Sequence, residues 1–465
     1  MKWAAPAVAL VAGIVLAVVA VPPSPPSGPD PAPGTVTPVL SVRRMPSLLA
    51  HEVAAARLRR ALDAVLGDPA NGPAREASCL AVAQGTQPLT VRRGDMPLIP
   101  ASNLKLLVAA ATLARLGPAT RFTTTLRAAT APVAGVVDGP LWLLGSGDPL
   151  LATADYAASL KYQPALRTPV EDLVRSVVAA GITEVRGGVI GDESRYDGVR
   201  YIPTWKRGYQ TDGEVGPMGA LVVNDGFARF TPGKVASTAP ATHAASVVTA
   251  LLRAAGVTVR DEATQGRTPP TTVTVGDVSS PPLSEVVGEM LRDSDNNTAE
   301  LLNKELGARV GGSQGTTAGG LVALRDTLTR AGLPVEHLRT VDASGLDRGD
   351  RVTCRLLLAT LTAAGPAGPL ARGLPVAGET GTLSKRFLAN PSRGRLRAKT
   401  GALDEVVALT GWIDVPGGRP LAFAMVANGI PGEAAGRALQ ERLGAALALY
   451  PSAPPAAALG PRRAP

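Results

Sequence analysis

The most informative segment of the sequence is Pro100-Ala101-Ser102-Asn103-Leu104-Lys105, which runs directly into an apolar helical segment at residues 106–116. Residues three apart in a helix lie on the same face about one turn from each other, so the Lys105 amine can reach the Ser102 hydroxyl. Ser102 would also lie at the positive end of the helix dipole, which favours a developing alkoxide. A helix-capping serine beside an incidental surface lysine gives the same pattern, so this motif predicts a nucleophile only together with others.

Two further polar motifs follow much later in the chain. Ser294-Asp295-Asn296 precedes a helical segment at residues 297–307 and, taken alone, is typical of a helix cap. Lys399-Thr400-Gly401 ends a short strand-like run and, taken alone, is typical of a basic strand end followed by a turn. Each of the patterns Ser-x-x-Lys, Ser-x-Asn and Lys-Thr-Gly occurs once, and two of the 8 lysines lie in them.

Together, the three motifs resemble those of the active-site serine enzymes that recognise penicillin, which carry them in this order. More specifically, the chain resembles the low-molecular-mass class C penicillin-binding proteins, the D-alanyl-D-alanine carboxypeptidase/endopeptidase family. Further local matches to that family cover most of residues 80–430. They are Gly145-Ser146-Gly147-Asp148-Pro149-Leu150, Gly216-Pro217, Val223-Asn224-Asp225-Gly226, Asp342-Ala343-Ser344-Gly345-Leu346 followed by Arg348, and Leu374-Pro375-Val376-Ala377-Gly378 followed by Gly381-Thr382-Leu383.

The resemblance implies a role for each motif side chain. Ser102 would be the nucleophile and Lys105 its base, with the pKa of Lys105 lowered by burial and by the nearby charge of Lys399. Ser294 would relay the proton to the departing D-alanine, and Asn296 would hold the substrate amide. Which lysine acts as the base at each step stays open.

The resemblance also implies how the substrate is held. Lys399 and Thr400, followed by Gly401, would engage the terminal carboxylate, and the backbone N–H groups of Ser102 and Ala402 would form the oxyanion hole. The family usually has Thr where this chain has Ala402. Because a hydroxyl that can help to hold the carboxylate is lost, we expect weaker cleavage of the terminal D-alanine than in the family.

Four further residues receive provisional interpretations. Arg348 resembles a residue that contacts the substrate side chain, and Asp192 and Tyr196 are candidate contacts to the diaminopimelate or lysine end of the substrate. These three residues are equally well explained as turn-forming or surface residues. Glu300 is interpreted as structural, so an acyl-enzyme made from a β-lactam should persist.

The expected fold is α/β (α+β). The resemblance implies a serine β-lactamase/DD-transpeptidase-like domain, in which helices surround an antiparallel sheet. Ser294 follows Ser102 by 192 residues, and short β-like runs with Gly/Asp turns between them predict an inserted α/β domain. We therefore expect a discontinuous DD-peptidase domain at 45–124 and 280–450, with the insertion at 125–279.

Apolar periodicity predicts the main elements within these regions. The predicted helices are at 48–66, 106–116, 170–180, 244–255, 283–307, 319–331, 353–362 and 432–449. The predicted strands are at 78–84, 141–145, 187–192, 395–399, 406–414 and 421–428.

The two ends of the chain have compositions unlike the middle. Residues 4–21 carry no charged or hydrogen-bonding side chain, which predicts a signal peptide or a short membrane anchor; both stay open. Residues 22–44 predict a disordered Pro-rich linker, and 451–465 a disordered Pro/Ala-rich tail. We therefore expect the folded part to lie in the cell envelope, either secreted or attached to the membrane through residues 4–21.

The composition limits the remaining function classes. The formal net charge of +9 suits an anionic cell envelope as well as nucleic acid, but aromatic residues make up only 3% of the chain, so base-stacking platforms are few and no nucleic-acid partner is expected. His51, His243 and His337 share no metal-ligand spacing, and we expect no metal or other cofactor. Cys79 and Cys354 could pair in an exported protein or remain two buried thiols.

Three functions remain to be weighed. The leading hypothesis is an exported serine DD-peptidase that acts on peptidoglycan stem peptides or cross-links and is acylated by β-lactams. The second is a β-lactamase or esterase of the same superfamily. The third is a catalytically silent envelope-binding protein, which the intact Ser102, Lys105 and Lys399 argue against.

Overall fold

The computed structural model describes residues 45–459, so the predicted N-terminal segment 4–21 and the linker 22–44 lie outside the described residues. The helices are α1 Met45–Gly67, α2 Lys105–Leu116, α3 Ala154–Ser159, α4 Val170–Ala179, α5 Arg207–Thr211, α6 Pro240–Ala254, α7 Leu283–Asp293, α8 Asn296–Gly311, α9 Thr317–Arg330, α10 Cys354–Ala364, α11 Pro369–Arg372, α12 Glu433–Ala448 and α13 Ala456–Leu459. The strands are β1 Ser78–Gln84, β2 Gln87–Arg92, β3 Thr123–Ala128, β4 Val136–Val137, β5 Leu141–Leu144, β6 Leu151–Ala152, β7 Thr168–Pro169, β8 Glu184–Val185, β9 Val189–Asp192, β10 Phe227–Arg229, β11 Val235–Ala236, β12 Thr258–Val259, β13 Thr264–Gln265, β14 Val273–Ser279, β15 Leu396–Leu403, β16 Val406–Ile413 and β17 Leu421–Asn428.

One five-stranded sheet is built from the two ends of the described chain. Its strand order is β15-β16-β17-β1-β2, and all neighbours are antiparallel. Strand β15, which carries the Lys-Thr-Gly motif, is therefore an edge strand with one side free of a strand partner.

Helices cover both faces of this sheet. Successive side chains of a strand point to opposite faces, and in β1 the residues Cys79, Ala81 and Ala83 pack with α2 and α7 to α10. Leu80 and Val82 point to the other face, where they pack with α1 and α12. Because both faces are covered, β1 is an almost uninterrupted run of small and branched apolar residues.

The two cysteines form a disulfide across the first of these layers. Cys79 of β1 and Cys354, the first residue of α10, lie with their Cα atoms 5.8 Å apart and their sulfurs bonded. The choice left open by the sequence is thus settled in favour of a pair. The bond closes a loop of 275 residues, and such bonds contribute about 2–5 kcal/mol to the free energy of unfolding.

The region between α2 and α7, called the inserted region below, has sheets of its own. A second five-stranded sheet has the order β13-β9-β5-β3-β14, in which β5, β9 and β13 run parallel and β3 and β14 are antiparallel neighbours. Helices α4 and α6 pack on it around a separate apolar core. The residues from 52 to 453 form one compact unit, so the proposed division into two domains at 124 and 280 stays a prediction.

Three elements differ from the sequence-based expectation. The helix expected at 283–307 is two helices, because Ser294 adopts a left-handed conformation (φ 67°) and ends α7. The strand expected at 395–399 continues to Leu403, because β15 pairs with β16 residue by residue as far as Leu403 and Val406. The short helix α13 falls within the tail predicted to be disordered. Across residues 45–459 no helix is both long and apolar enough to cross a bilayer.

Candidate active site

Ser102 lies in a tight helical turn that leads into α2. Residues 101–104 form a 3-10 turn that leads directly into α2, so Ser102 and Lys105 face the same side one turn apart. Ala101 has a φ of 48°, a conformation that L-residues rarely adopt and that is common at functional sites. The turn is packed so closely that a Cβ on Gly345 would lie 2.0 Å from the Ala101 carbonyl oxygen, and only glycine fits at position 345.

The Lys105 amine is the centre of the site. Its Nζ lies 3.0 Å from Ser102 Oγ, 2.7 Å from Asn296 Oδ1 and 2.6 Å from the Ser344 carbonyl oxygen. The amide oxygen and the carbonyl oxygen can only accept hydrogen bonds. A neutral Lys105 amine, which has two hydrogens, would therefore donate both of them there and direct its lone pair at the Ser102 hydroxyl.

The Ser-Asp-Asn motif forms the junction of α7 and α8. Ser294 ends α7, and Asp295 caps the start of α8 by accepting a hydrogen bond from the Thr298 N–H at 2.6 Å. This sharp break turns Ser294 Oγ towards Lys399, whose Nζ lies 2.7 Å away. Asn296, the first residue of α8, faces Lys105, so the junction delivers both side chains to the same cleft.

The Lys-Thr-Gly motif lies on the edge strand opposite this junction. Lys399 Nζ also donates to the Thr400 carbonyl at 2.9 Å, and the Thr400 and Thr382 hydroxyl oxygens are 3.1 Å apart. A Cβ on Gly401 would lie 2.8 Å from the Pro100 carbonyl oxygen. The glycine thus lets β15 lie directly against the turn that carries Ser102.

Burial sets the protonation of both lysines. Burial lowers the pKa of Lys105 to about 8, although nearby carboxylates, chiefly Asp342 and Asp295, act in the opposite direction. Burial and then the positive charge of Lys105 hold the pKa of Lys399 well below its usual range. The expected repulsion between the two amines is therefore seen in the pKa of Lys399, whereas burial lowers that of Lys105.

Buried carboxyl groups hold the loop that provides the Ser344 carbonyl. Glu300 Oε1 accepts hydrogen bonds from the N–H groups of Ala343 and Ser344 at 2.9 and 2.8 Å, and burial raises its pKa to about 7. Asp342 accepts from the Gly345 N–H at 2.7 Å. Glu300 therefore acts on the site through the loop backbone.

Two further candidate residues lie at the far end of β15. Ala402 is exposed and lines a cavity of about 670 Å³, together with Tyr209 and Glu214 of the inserted region. Arg348 donates to the Asp404 carbonyl at 2.8 Å, so it braces the turn between β15 and β16. With 40% of its side chain exposed, Arg348 remains accessible beside this turn.

Asp192 and Tyr196 are not brought to the cleft. Both side chains are buried. Asp192 accepts from the N–H groups of Ser194 and Thr268 at 2.9 and 2.6 Å, which fixes a turn after β9. The Tyr196 hydroxyl donates to Glu305 of α8 at 3.0 Å. These contacts give both residues structural partners within the fold, and the expected contact with substrate stays a prediction.

Two groups in the site were not identified from sequence. The Ser344 and Glu214 carbonyls bind Lys105 and Asn296 through the backbone, so residue type carries no signal for them. Ser344 belongs to a run that matches the family, which points to the loop without naming its role. No group of three or more His, Cys, Asp or Glu residues between 45 and 459 could hold a metal ion.

Comparisons with known proteins identify relatives of this chain. The chain is 33% identical to a carboxypeptidase of Mycobacterium tuberculosis, covering 86% of this chain and 85% of the relative. It is 30% identical to a D-alanyl-D-alanine carboxypeptidase of Actinomadura sp. (strain R39), covering 84% and 85%.

The fold matches a solved structure as well. Penicillin binding protein 4 from Haemophilus influenzae superposes with a TM-score of 0.68 at 19% identity, covering 80% of this chain and 95% of that one. This similarity confirms the predicted fold class of helices around an antiparallel sheet. The family model of the D-Ala-D-Ala carboxypeptidase 3 (S13) family matches residues 58–232 and 228–449, and the chain belongs to that family.

Proposed function

We propose that this protein is a serine-type D-alanyl-D-alanine carboxypeptidase/endopeptidase that cleaves peptidoglycan stem peptides or cross-links through an acyl-enzyme on Ser102. The observation that carries the proposal is the Lys105 amine, with its pKa lowered to about 8, 3.0 Å from Ser102 Oγ. The relatives support the substrate class, because two of them are named carboxypeptidases and one of these a D-alanyl-D-alanine carboxypeptidase.

In the first step, Ser102 Oγ attacks the carbonyl carbon of the penultimate D-alanine and its proton passes to the Lys105 lone pair. The negative charge that develops on the carbonyl oxygen is stabilised by the backbone N–H groups of Ser102 and Ala402. The edge position of β15 suits this role, since alternate N–H groups of an edge strand have no strand partner.

In the second step, the C–N bond breaks and the departing amine takes up, through Ser294 Oγ, the proton that Lys105 accepted from Ser102. Ser294 Oγ lies 2.7 Å from Lys399 Nζ. The terminal carboxylate is held by Lys399 and Thr400, and its charge offsets the forces that disfavour the ammonium form of Lys399. Water then hydrolyses the ester on Ser102.

We assign no deacylating carboxylate to the site. Glu300 is fully buried and its Oε1 accepts two backbone N–H groups, which leaves it poorly placed to activate water. A β-lactam acyl-enzyme should therefore be long-lived. One similar structure is that of penicillin binding protein 4 complexed with a β-lactam, which supports β-lactam binding here.

The family acts on peptidoglycan, which is part of the cell envelope, so we expect this protein to act there. We propose export through residues 4–21, either as a cleaved signal peptide or as a retained anchor. The Cys79–Cys354 bond supports an extracytoplasmic location, because disulfides persist in oxidising compartments.

The test is intact-mass spectrometry of residues 45–465 after incubation with benzylpenicillin, with Ser102→Ala as the matched control. A stable penicilloyl adduct on the parent and none on the variant is the expected result. Hydrolysed antibiotic without an adduct would identify a β-lactamase, and intact antibiotic without an adduct would identify a silent binding protein. Release of D-alanine from a stem pentapeptide would confirm the peptidase.

A further inference from the structure

Two consecutive amide side chains at the start of α8 join the catalytic cleft to the inserted region. Asn296 Nδ2 donates to the Glu214 carbonyl at 2.7 Å. Asn297 Oδ1 accepts from the Gly216 N–H at 2.8 Å, and its Nδ2 donates to the carbonyls of Gly216 and Asp225 at 3.3 and 3.4 Å. The segment from 214 to 216 is thus bound by both amides.

The Glu214 carbonyl decides which way the Asn296 amide faces. A carbonyl oxygen only accepts hydrogen bonds, so the NH₂ group of Asn296 must point towards Glu214. The amide oxygen is then left for Lys105 Nζ at 2.7 Å. If the amide rotated by half a turn, its NH₂ group would face an amine whose lone pair is needed at Ser102.

Gly216 is held in place from two sides. Asn297 is 4% exposed and binds both the N–H and the carbonyl of Gly216. On the other side, a Cβ on Gly216 would lie 1.8 Å from the Asp225 carbonyl oxygen. Because the backbone of Gly216 is held on both sides, the carbonyl of Glu214, only two residues earlier, is held in position as well.

We propose that Asn297 is a positioning residue for acylation, and that the inserted region completes the catalytic site through the Glu214 carbonyl. Asn297 fixes Gly216, which fixes the Glu214 carbonyl, which orients Asn296 so that the Lys105 lone pair stays on Ser102. This role rests on the proposed function, since it concerns the acylation of Ser102.

The test compares Asn297→Ala and Asn297→Asp with Asn303→Ala as the matched control. Asn303 is also a buried asparagine of α8, but its Nδ2 donates to the Thr317 carbonyl at 3.1 Å, away from Glu214. The measurements are the second-order rate constant for acylation by benzylpenicillin from pH 6 to 9.5, and the melting temperature. Asn297→Asp keeps the size of the side chain and serves if the alanine variant does not fold.

We expect both Asn297 variants to be acylated about 10- to 100-fold more slowly at their plateau, as for a misplaced catalytic group. In Asn297→Ala the acid limb of the pH profile should also move to lower pH, because an ammonium that loses an acceptor is less favoured. Asn303→Ala should lower the melting temperature and leave the profile unchanged.

Other outcomes would overturn the proposal. A purely structural role would admit water, relieve the burial of Lys105 and move the limb to higher pH. Wild-type acylation in both Asn297 variants would contradict the role directly. In an Asn296→Ala background, Asn297→Ala should have little further effect on the acylation rate constant, because Asn297 acts through Asn296. Fully additive effects of the two substitutions would show that Asn297 does not act through Asn296. A parent protein that is not acylated at all would instead contradict the proposed function.

Discussion

The candidate active site and the contact between α8 and the inserted region differ in whether their buried charges have a counter-ion. In the cleft, Lys105 and Lys399 are fully buried, and neither belongs to an ion pair among residues 45–459. Along α8, the equally buried Lys304 pairs with Asp197 of the inserted region, and Glu305 pairs with Arg195. A counter-ion offsets part of the desolvation cost of a buried charge, whereas burial without one lowers the pKa of an amine towards the range useful for catalysis.

The largest effect is expected from exchanging the two kinds of lysine for methionine. Lys105→Met should reduce the acylation rate constant about 10³-fold, because Ser102 loses its base. Lys304→Met should change acylation less than about threefold and lower the free energy of unfolding by about 1–2 kcal/mol, because Asp197 loses a partner. Stopped-flow acylation and denaturant unfolding of both variants measure this contrast. If Lys304→Met slowed acylation as much as Lys105→Met, the distinction between the two regions would be wrong.

Lys399 should behave as a member of the cleft with a smaller effect. Lys399→Ala should slow acylation about 10²-fold, since Ser294 loses its partner at 2.7 Å and the substrate carboxylate loses a donor. The same kinetics would detect it, with melting temperature as the control for folding. Acylation at the parent rate would remove Lys399 from the catalytic group.

The pH profile gives the next sharpest comparison. The base must be neutral, and the pKa of Lys105 is about 8. The acylation rate constant should therefore increase roughly tenfold per pH unit up to about pH 8 and then level off. A flat acylation profile from pH 6 to 9 would contradict a lysine base with this pKa.

The smallest effect concerns position 402, where this chain has alanine and the family usually has threonine. Ala402→Thr restores a hydroxyl beside the carboxylate site and should raise kcat/KM for a stem pentapeptide roughly three- to tenfold, about one hydrogen bond. Acylation by benzylpenicillin should change less. Unchanged kcat/KM in the threonine variant would mean that position 402 contributes only its backbone N–H.

The side chains of the cleft could be predicted from the sequence, but the groups that orient them could not. Ser102, Lys105 and Asn296 are joined by hydrogen bonds, and so are Ser294 and Lys399, since each residue occurs in a motif with fixed local geometry. The Ser344 and Glu214 carbonyls bring no residue-type signal, because any residue supplies a backbone oxygen.

The sequence does not show the roles of polar residues in the inserted region, for a related reason. Asp192 and Tyr196 are polar residues near a strand end, a pattern shared by substrate contacts and by side chains that fix turns. Only their burial and their partners in the fold separate the two. The helix predicted at 283–307 was too long because periodicity does not register a single left-handed residue such as Ser294.

The most direct test of the acyl-enzyme mechanism is peptide mapping of the penicilloyl adduct by tandem mass spectrometry. The protein is labelled with benzylpenicillin, digested, and the modified residue is identified in the parent and in Ser102→Ala. We predict one modified residue, Ser102, in the parent and no adduct in the variant. An adduct on Ser294 or on any other residue, or normal labelling of Ser102→Ala, would contradict Ser102 as the nucleophile.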